Sequence, residues 1–191
     1  PRVSKVNSAI KPNGVNTLSE QALNEKLLAN SVCFGCGPSN SQGLQVKVHY
    51  DPHDPERIMG LFLPDSTLIG FPGITHGGIV FTALDCIACW AGMMLTKGPK
   101  ALWLLRSAQV TYHRPARAGE PVHLSARIPN PGEVGRVQTV RNDARNEAGE
   151  LLVNGLYKIV PLSPKKFMSV LGIEKLPEDW ASWLESTEDT A

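Results

Sequence analysis

Two features of the sequence could do chemistry: a His-Gly-Gly step and an aspartate that follows it. Thr75-His76-Gly77-Gly78 stands where a long apolar helix is expected to begin. Glycine is a poor helix former, so two glycines at this position need a reason. Backbone N–H groups at a helix N-terminus are unpaired, and glycine lets a ligand oxygen approach them. The step therefore suits an oxyanion hole, although a tight turn packed against a sheet would also account for it.

Asp85 lies near the middle of the same apolar stretch, among Leu84, Ile87, Ala88 and Trp90. A lone carboxylate in such surroundings is rare unless it is paired or functional. Burial should raise the pKa of this carboxyl group, and the helix N-terminus behind it should oppose that rise. A core aspartate bonded to a tyrosine or serine is the structural alternative. We favour a functional role, because the sequence places no obvious cationic side chain one helical turn away.

The spacing between these two features has a consequence for assembly. Gly77 and Asp85 are eight residues apart, which is about 12 Å along a helix at 1.5 Å per residue. A reacting carbonyl needs contacts of roughly 3 Å both to its oxyanion donor and to its base or nucleophile. One helix cannot easily supply both. We therefore expect at least a dimer, with each site composed of residues from two subunits.

Three pieces of the sequence resemble the hotdog-fold acyl-CoA thioesterases, and most closely the phenylacetyl-CoA type branch with its HGG…D signature. The resemblance covers roughly residues 33–162. Its motifs are Cys33-Phe34-Gly35-Cys36-Gly37 followed by Asn40 and Gly43-Leu44, then Gly73-Ile74-Thr75-His76-Gly77-Gly78, then Asp85. It implies an α+β hotdog fold, in which an antiparallel sheet wraps around one long central helix. It also implies a homodimer or homotetramer that hydrolyses an acyl-CoA substrate and needs no cofactor.

The same resemblance assigns roles to the site residues. Asp85 is expected as nucleophile or general base, the Gly77 N–H as oxyanion donor, and His76 and Gly78 as the residues that shape that turn. The sequence also departs from the family pattern. Leu68-Ile69-Gly70-Phe71 stands where many members have a polar Asn or Gln. On the strand after the helix, Leu105 is the nearest counterpart of a water-orienting Ser or Thr, with Ser107 and Gln109 close by.

Four cysteines form two pairs, Cys33/Cys36 and Cys86/Cys89. Cys-x-x-Cys-Gly is a knuckle that zinc favours, and the second pair could complete four sulfur ligands. The 49 residues between the pairs exceed the usual spacing of a zinc ribbon. Cysteine also serves as a small hydrophobe, as the buried helix requires. We therefore predict no bound metal and reduced thiols.

Composition narrows the classes of partner. The 19 basic and 18 acidic residues leave a net charge of +1, which argues against nucleic acid and against a polybasic membrane patch. Hydrophobic residues at 42% and charged residues at 19% exclude a mostly disordered chain. No secretory signal pattern opens the printed sequence, so we expect a cytoplasmic protein. Arg114, Arg117 and Arg136 could meet CoA phosphates, whereas the histidines other than His76 fit no metal or triad spacing.

Hydrophobic periodicity predicts the elements that would position these residues. Gly77 to Leu95 is long and apolar enough to suggest a membrane span. Because Asp85 interrupts it, we interpret it as a helix buried on nearly all sides of a soluble protein. The remaining predictions are a Thr17–Glu20 capping box before a short helix, strands near 44–50, 57–63, 103–113, 122–128, 136–145 and 151–160, and a helical tail.

The predicted organisation is an arm with a short helix over 1–32, a hotdog domain over 33–162 and a helical tail over 163–191. Three other functions stay open. A hotdog protein could bind acyl-CoA or another apolar ligand without hydrolysing it. A dehydratase or hydratase could use the same fold, since Gly70-Phe71-Pro72-Gly73 faintly resembles the turn of such enzymes. The cysteines could instead staple an interaction module with zinc.

Overall fold

The computed structural model describes residues 21–131 and 136–186, which form four helices and eight strands. In chain order these are α1 (Leu23–Leu27), β1 (Lys47–Asp51), β2 (Asp54–Phe62), β3 (Ile69–Phe71), β4 (Ile74–Thr75), α2 (Gly77–Leu95), β5 (Leu102–Tyr112), β6 (Val122–Arg127), β7 (Gln138–Arg145), β8 (Leu151–Leu162), α3 (Pro164–Leu171) and α4 (Glu178–Glu185).

Six strands form one antiparallel sheet in the order β1-β2-β6-β7-β8-β5. Five of them contact α2, so the sheet wraps around that helix. This confirms the predicted α+β architecture. The β7–β8 connection is a hairpin: the Gly149 N–H donates to the Asn146 carbonyl, and Gly149 adopts a φ of 78° that favours glycine.

The core lies between the concave face of the sheet and one face of α2. On β6 the alternating residues Val122, Leu124 and Ala126 are buried against the helix, as a period of two requires. Each large apolar side chain buried in this way contributes about 1.5–3 kcal/mol. Gly92 allows α2 to lie close against the sheet. A Cβ at this position would lie 2.6 Å from Ile159 Cδ1 and 2.7 Å from the Trp103 ring.

The prediction that α2 is buried on nearly all sides was wrong. The helix could cross a membrane by length and composition, yet only 44% of its most apolar window is buried. A single sheet covers only one side of the helix. The opposite side carries Phe81, Asp85, Cys86 and Cys89, which are all partly exposed. An apolar strip beside Asp85 is therefore incompletely covered by the described part of the chain.

The terminal helices dock on the core. Trp183 is 4% exposed, and Trp180 packs on Phe167 with ring centroids 5.5 Å apart. The Asn30 N–H donates to Asp179 Oδ2 at 2.8 Å, which ties the segment after α1 to α4. The predicted short helix is present as α1, whereas the Thr17–Glu20 capping box lies outside the described residues.

Candidate active site

The N-terminus of α2 is held in place by the turn that precedes it. His76 is the N-cap, and its Nδ1 accepts a hydrogen bond from the Gly78 N–H at 3.0 Å. The His76 N–H donates to the Leu68 carbonyl at 2.8 Å, and the Thr75 N–H donates to the Ala116 carbonyl at 2.9 Å. These bonds fix the direction in which the helix begins. The bond between His76 and Gly78 therefore fixes this turn.

Gly77 combines an unpaired N–H with a close aromatic neighbour. The Gly77 N–H donates to no acceptor among the described residues. This is expected, because the first N–H groups of a helix have no partner within the helix. The Tyr112 hydroxyl donates to the Gly77 carbonyl at 3.0 Å, and a Cβ at Gly77 would lie 3.1 Å from Tyr112 Cε1. Glycine therefore lets the ring pack close while the N–H remains available to an oxyanion.

A cleft of about 390 Å³ opens at this helix end. Gly70, Gly77 and Val80 line it, and it is flanked by Phe71, 75% exposed, and Tyr112, 52% exposed. Large exposed aromatic side chains at a cleft mark a surface that a ligand or a partner can cover. The cleft can therefore receive an apolar group next to the free Gly77 N–H.

Asp85 lies on the partly covered side of α2, two turns beyond the cleft. Burial raises the pKa of its carboxyl group from 3.8 to about 6, and the charge of the Cys33 thiolate adds to the rise. The Cys89 thiol, one turn further along, lies 3.8 Å from Asp85 Oδ1. No cationic side chain of the described residues forms an ion pair with it. A carboxylate held this way is a stronger base than an exposed one.

Asp85 does not line the cleft of its own chain. Gly77 and Asp85 belong to one continuous helix, so their separation remains about 12 Å along its axis. The described residues of a single chain therefore do not bring the two groups to one reacting carbonyl.

Two tyrosines near these groups were missed by the sequence reasoning. Tyr112 touches Gly77, as described above. Tyr157 is fully buried, and its hydroxyl has no partner among the described residues. Burial raises its pKa, and the charges of Tyr112 and Asp85 act in the same direction, so all three lie in one neighbourhood. The alternation of side chains along β8 places Tyr157 on the side of the sheet that faces the helix. Which residues it meets there depends on how β8 pairs with its neighbouring strands.

Ser107 and Gln109, which follow Leu105 on β5, point away from the helix. Leu105 pairs with Ile159, which is buried on the helix side, but a bulge at Arg106 shifts the register. Ser107 then pairs with the exposed Lys158, and Gln109 pairs with the exposed Leu156. The departure from the family pattern therefore persists: neither Ser107 nor Gln109 can orient water beside Asp85.

The three arginines considered for CoA phosphates do not form one group. Arg114 lines the cleft, and its guanidinium lies 3.5 Å from Glu150 Oε1. Arg117 lies in the adjoining pocket that Arg114 also lines. Arg136 precedes β7 at the far end of the sheet, because β7 starts opposite Ile159 and ends opposite Leu151. His113 also lines the cleft, and its Nε2 lies 3.0 Å from Asn154 Oδ1.

The thioesterase superfamily is the family whose model matches this chain. The match covers residues 72–152, which include Gly77, Asp85 and most of the residues that line the cleft. No curated protein matches the sequence.

Solved structures carry the same hotdog fold as this chain. The PaaI protein of the Escherichia coli phenylacetic acid degradation operon is 13% identical with a TM-score of 0.59, over 73% of this chain and 90% of that one. A Haemophilus influenzae thioesterase is 20% identical with a TM-score of 0.56, over 66% and 86%. A Streptococcus mutans protein bound to acetyl CoA is 12% identical with a TM-score of 0.53, over 62% and 89%. They confirm the hotdog fold.

The cysteines near Asp85 do not form the set of four that the sequence left open. The sulfur atoms of Cys33, Cys36 and Cys86 lie within 4.8 Å of one another. Cys89 is not in this group and instead contacts Asp85. Residues three apart on a helix lie one turn apart on nearly the same face, so it is the position of the 33–37 turn that brings Cys86 rather than Cys89 into this group.

Proposed function

We propose that the protein hydrolyses an acyl-CoA thioester to the free acid and CoA. Asp85 either attacks the thioester carbonyl or takes a proton from the water that attacks it. The Gly77 N–H stabilises the negative charge that develops on the carbonyl oxygen, with help from the dipole of α2. Collapse of that intermediate expels the CoA thiolate. The observation that carries the proposal is a Gly77 N–H at an apolar cleft with no acceptor among the described residues, on the same helix as a half-buried Asp85 that none of the described ion pairs includes.

The two groups would act together only across a subunit interface. Two observations support a homo-oligomer. β5 is an edge strand of eleven residues, exposed from Arg106 to Gln109, and such an edge is open to pairing. The side of α2 that carries Asp85 is apolar and incompletely covered. A second copy that covers this side could bring its Gly77 to the Asp85 of the first.

The cleft supports acyl-CoA as the substrate class. Its apolar walls suit an acyl group, and Arg114 at its rim can meet a phosphate of CoA. The related Streptococcus mutans protein binds acetyl CoA. We also propose a cytoplasmic location, because the four cysteines are free thiols, including a pair of sulfurs only 3.7 Å apart.

A thiol-release assay over a panel of short, long and aromatic acyl-CoA esters tests the proposal. We expect turnover of at least one ester by the wild type and none by Asp85→Asn. Asp143→Asn is the matched control, because Asp143 lies on the outer face of β7 and pairs with Arg145. Equal turnover by wild type and Asp85→Asn would refute the role of Asp85.

The second candidate is a protein that binds acyl-CoA without hydrolysing it. The outward direction of Ser107 and Gln109 favours it, because neither side chain lies on the side of the sheet that faces α2. Isothermal titration with the same esters distinguishes the two functions: binding without release of thiol selects the non-hydrolytic protein.

A further inference from the structure

Three cysteines converge at a point where the 33–37 turn meets α2. Cys33 and Cys36 lie on the turn, Cys86 lies on the helix, and all three sulfur atoms are within 4.8 Å of one another. Cys33 Sγ and Cys86 Sγ are 3.7 Å apart. Two ligands of a tetrahedral zinc ion, each about 2.3 Å from the metal, are separated by about 3.8 Å. The observed spacing is therefore too long for a disulfide, which needs about 2.05 Å, and compatible with two ligands of one zinc ion.

Hydrogen-bond donors are aimed at two of these sulfurs. The backbone N–H groups of Gly35 and Cys36 lie beside the Cys33 sulfur. Trp90 Nε1–H donates to Cys36 Sγ at 3.4 Å inside the core. A thiolate accepts such bonds better than a thiol does, because charge strengthens them. Sulfurs that receive N–H donors from a second layer are typical of metal-binding thiolates.

The turn is held rigidly before any metal binds. The Leu44 and Val46 N–H groups donate to the carbonyls of Phe34 and Gly35, at 2.7 and 3.0 Å. Asn24 Nδ2 donates to the Cys36 carbonyl at 2.6 Å.

Two further observations fit this rigid turn. The Gln45 side chain donates from Nε2 to the Gly37 carbonyl at 3.0 Å. The backbone of Gln45 has a φ of 55°. Such a conformation is costly for a residue other than glycine and persists only where the surroundings impose it.

Glycine is required where the turn approaches the sulfurs. A Cβ on Gly35 would lie 2.3 Å from Cys86 Sγ, and one on Gly37 would lie 2.3 Å from the Cys33 nitrogen. If these cysteines were only small apolar side chains, the backbone would not need to come so close to the Cys86 sulfur, and the sulfurs would not need N–H donors. Cys33 is moreover exposed, which a hydrophobic role does not explain.

We propose that Cys33, Cys36 and Cys86 bind one zinc ion, which fastens the 33–37 turn to α2 one residue from Asp85. Three soft thiolates suit zinc. The thiols release their protons to solvent as the metal binds, and the exposed position of Cys33 gives the ion an entry path. The fourth coordination position is left to water or to a ligand from outside this chain.

Metal content of the protein purified under reducing conditions tests the proposal. After a moderate chelator has removed loosely held ions, we expect one zinc per chain in the wild type and in Cys89→Ser, and none in Cys33→Ser. Cys89→Ser is the matched control, since it alters a helix cysteine outside the cluster. Circular dichroism should show that Cys33→Ser, an exchange at an exposed position, keeps the fold.

Two further measurements sharpen the result. Cobalt added in place of zinc should give a sulfur-to-cobalt charge-transfer band in the wild type and not in Cys33→Ser. Trp90→Phe, which removes only the donor to Cys36, should weaken zinc binding by about 10- to 100-fold. A wild type that holds no zinc, a disulfide between Cys33 and Cys86 in the reduced preparation, or equal zinc in Cys33→Ser would each overturn the proposal.

Discussion

Asp85→Asn should make the protein inactive and more stable at the same time. The substitution keeps the shape of the side chain and removes its charge. In the wild type, burial raises the pKa of Asp85 from 3.8 to about 6. One pKa unit corresponds to about 1.4 kcal/mol, so keeping this carboxylate ionised in the folded state costs at most about 3 kcal/mol. Because the group is still partly solvated, we expect a gain of about 1–2 kcal/mol for the variant at pH 8.

The gain should depend on pH in a definite direction. Below about pH 4 the carboxyl group is protonated in both the folded and the unfolded wild type, so the variant has little advantage. As pH rises from 3.8 to about 6, the unfolded state loses its proton first, and wild-type stability falls. Above that window the difference is constant. The first cause of the raised pKa is burial, and the charge of the Cys33 thiolate is the second.

Urea unfolding at pH 4, 6 and 8 measures this difference, at one protomer concentration for both proteins. Asp143→Asn provides the control, since that carboxylate is on the outer face of the sheet. Acyl-CoA hydrolysis is assayed on the same samples. A variant that is inactive but less stable than the wild type at pH 8 would mean that Asp85 is a structural residue, and the functional reasoning would then be wrong.

Three other perturbations probe the site and the core. Gly77→Ala should lower kcat by about tenfold or more, measured by thiol release, because its Cβ would lie 3.1 Å from Tyr112 Cε1 and would crowd the oxyanion donor; unchanged kcat would remove Gly77 from the site. Phe71→Ala should raise KM for long or aromatic esters by about tenfold, since it removes an apolar contact worth about 1.5–3 kcal/mol, whereas a KM that rises equally for acetyl-CoA would contradict an acyl contact. Gly92→Ala should lower the free energy of unfolding by about 1–3 kcal/mol in thermal melts, and an unchanged Tm would show that Trp103 and Ile159 can move aside.

Many of the elements could be predicted from local pattern. Val122, Leu124 and Ala126 alternate with polar residues, and they form the buried face of β6 as expected. The apolar run from Gly77 to Leu95 forms α2 with the predicted start. Such elements follow from side-chain period and from capping, which depend on residues a few positions apart. The extent of burial around α2 could not be predicted in this way, because it depends on how much of the helix one sheet can cover.

Local sequence is enough to place Gly77 and Asp85 on one helix about 12 Å apart, since helical rise is a local property. The proposal of a site shared by two subunits rests on that distance. Contacts between distant parts of the chain set which side chains surround the two residues. The bulge at Arg106 turns Ser107 outward, the register of β5 and β8 brings Tyr112 and Tyr157 towards the helix, and Cys86 rather than Cys89 meets the 33–37 turn. These outcomes depend on contacts between residues far apart in the chain, and a one-residue change of register reverses the face of every later side chain.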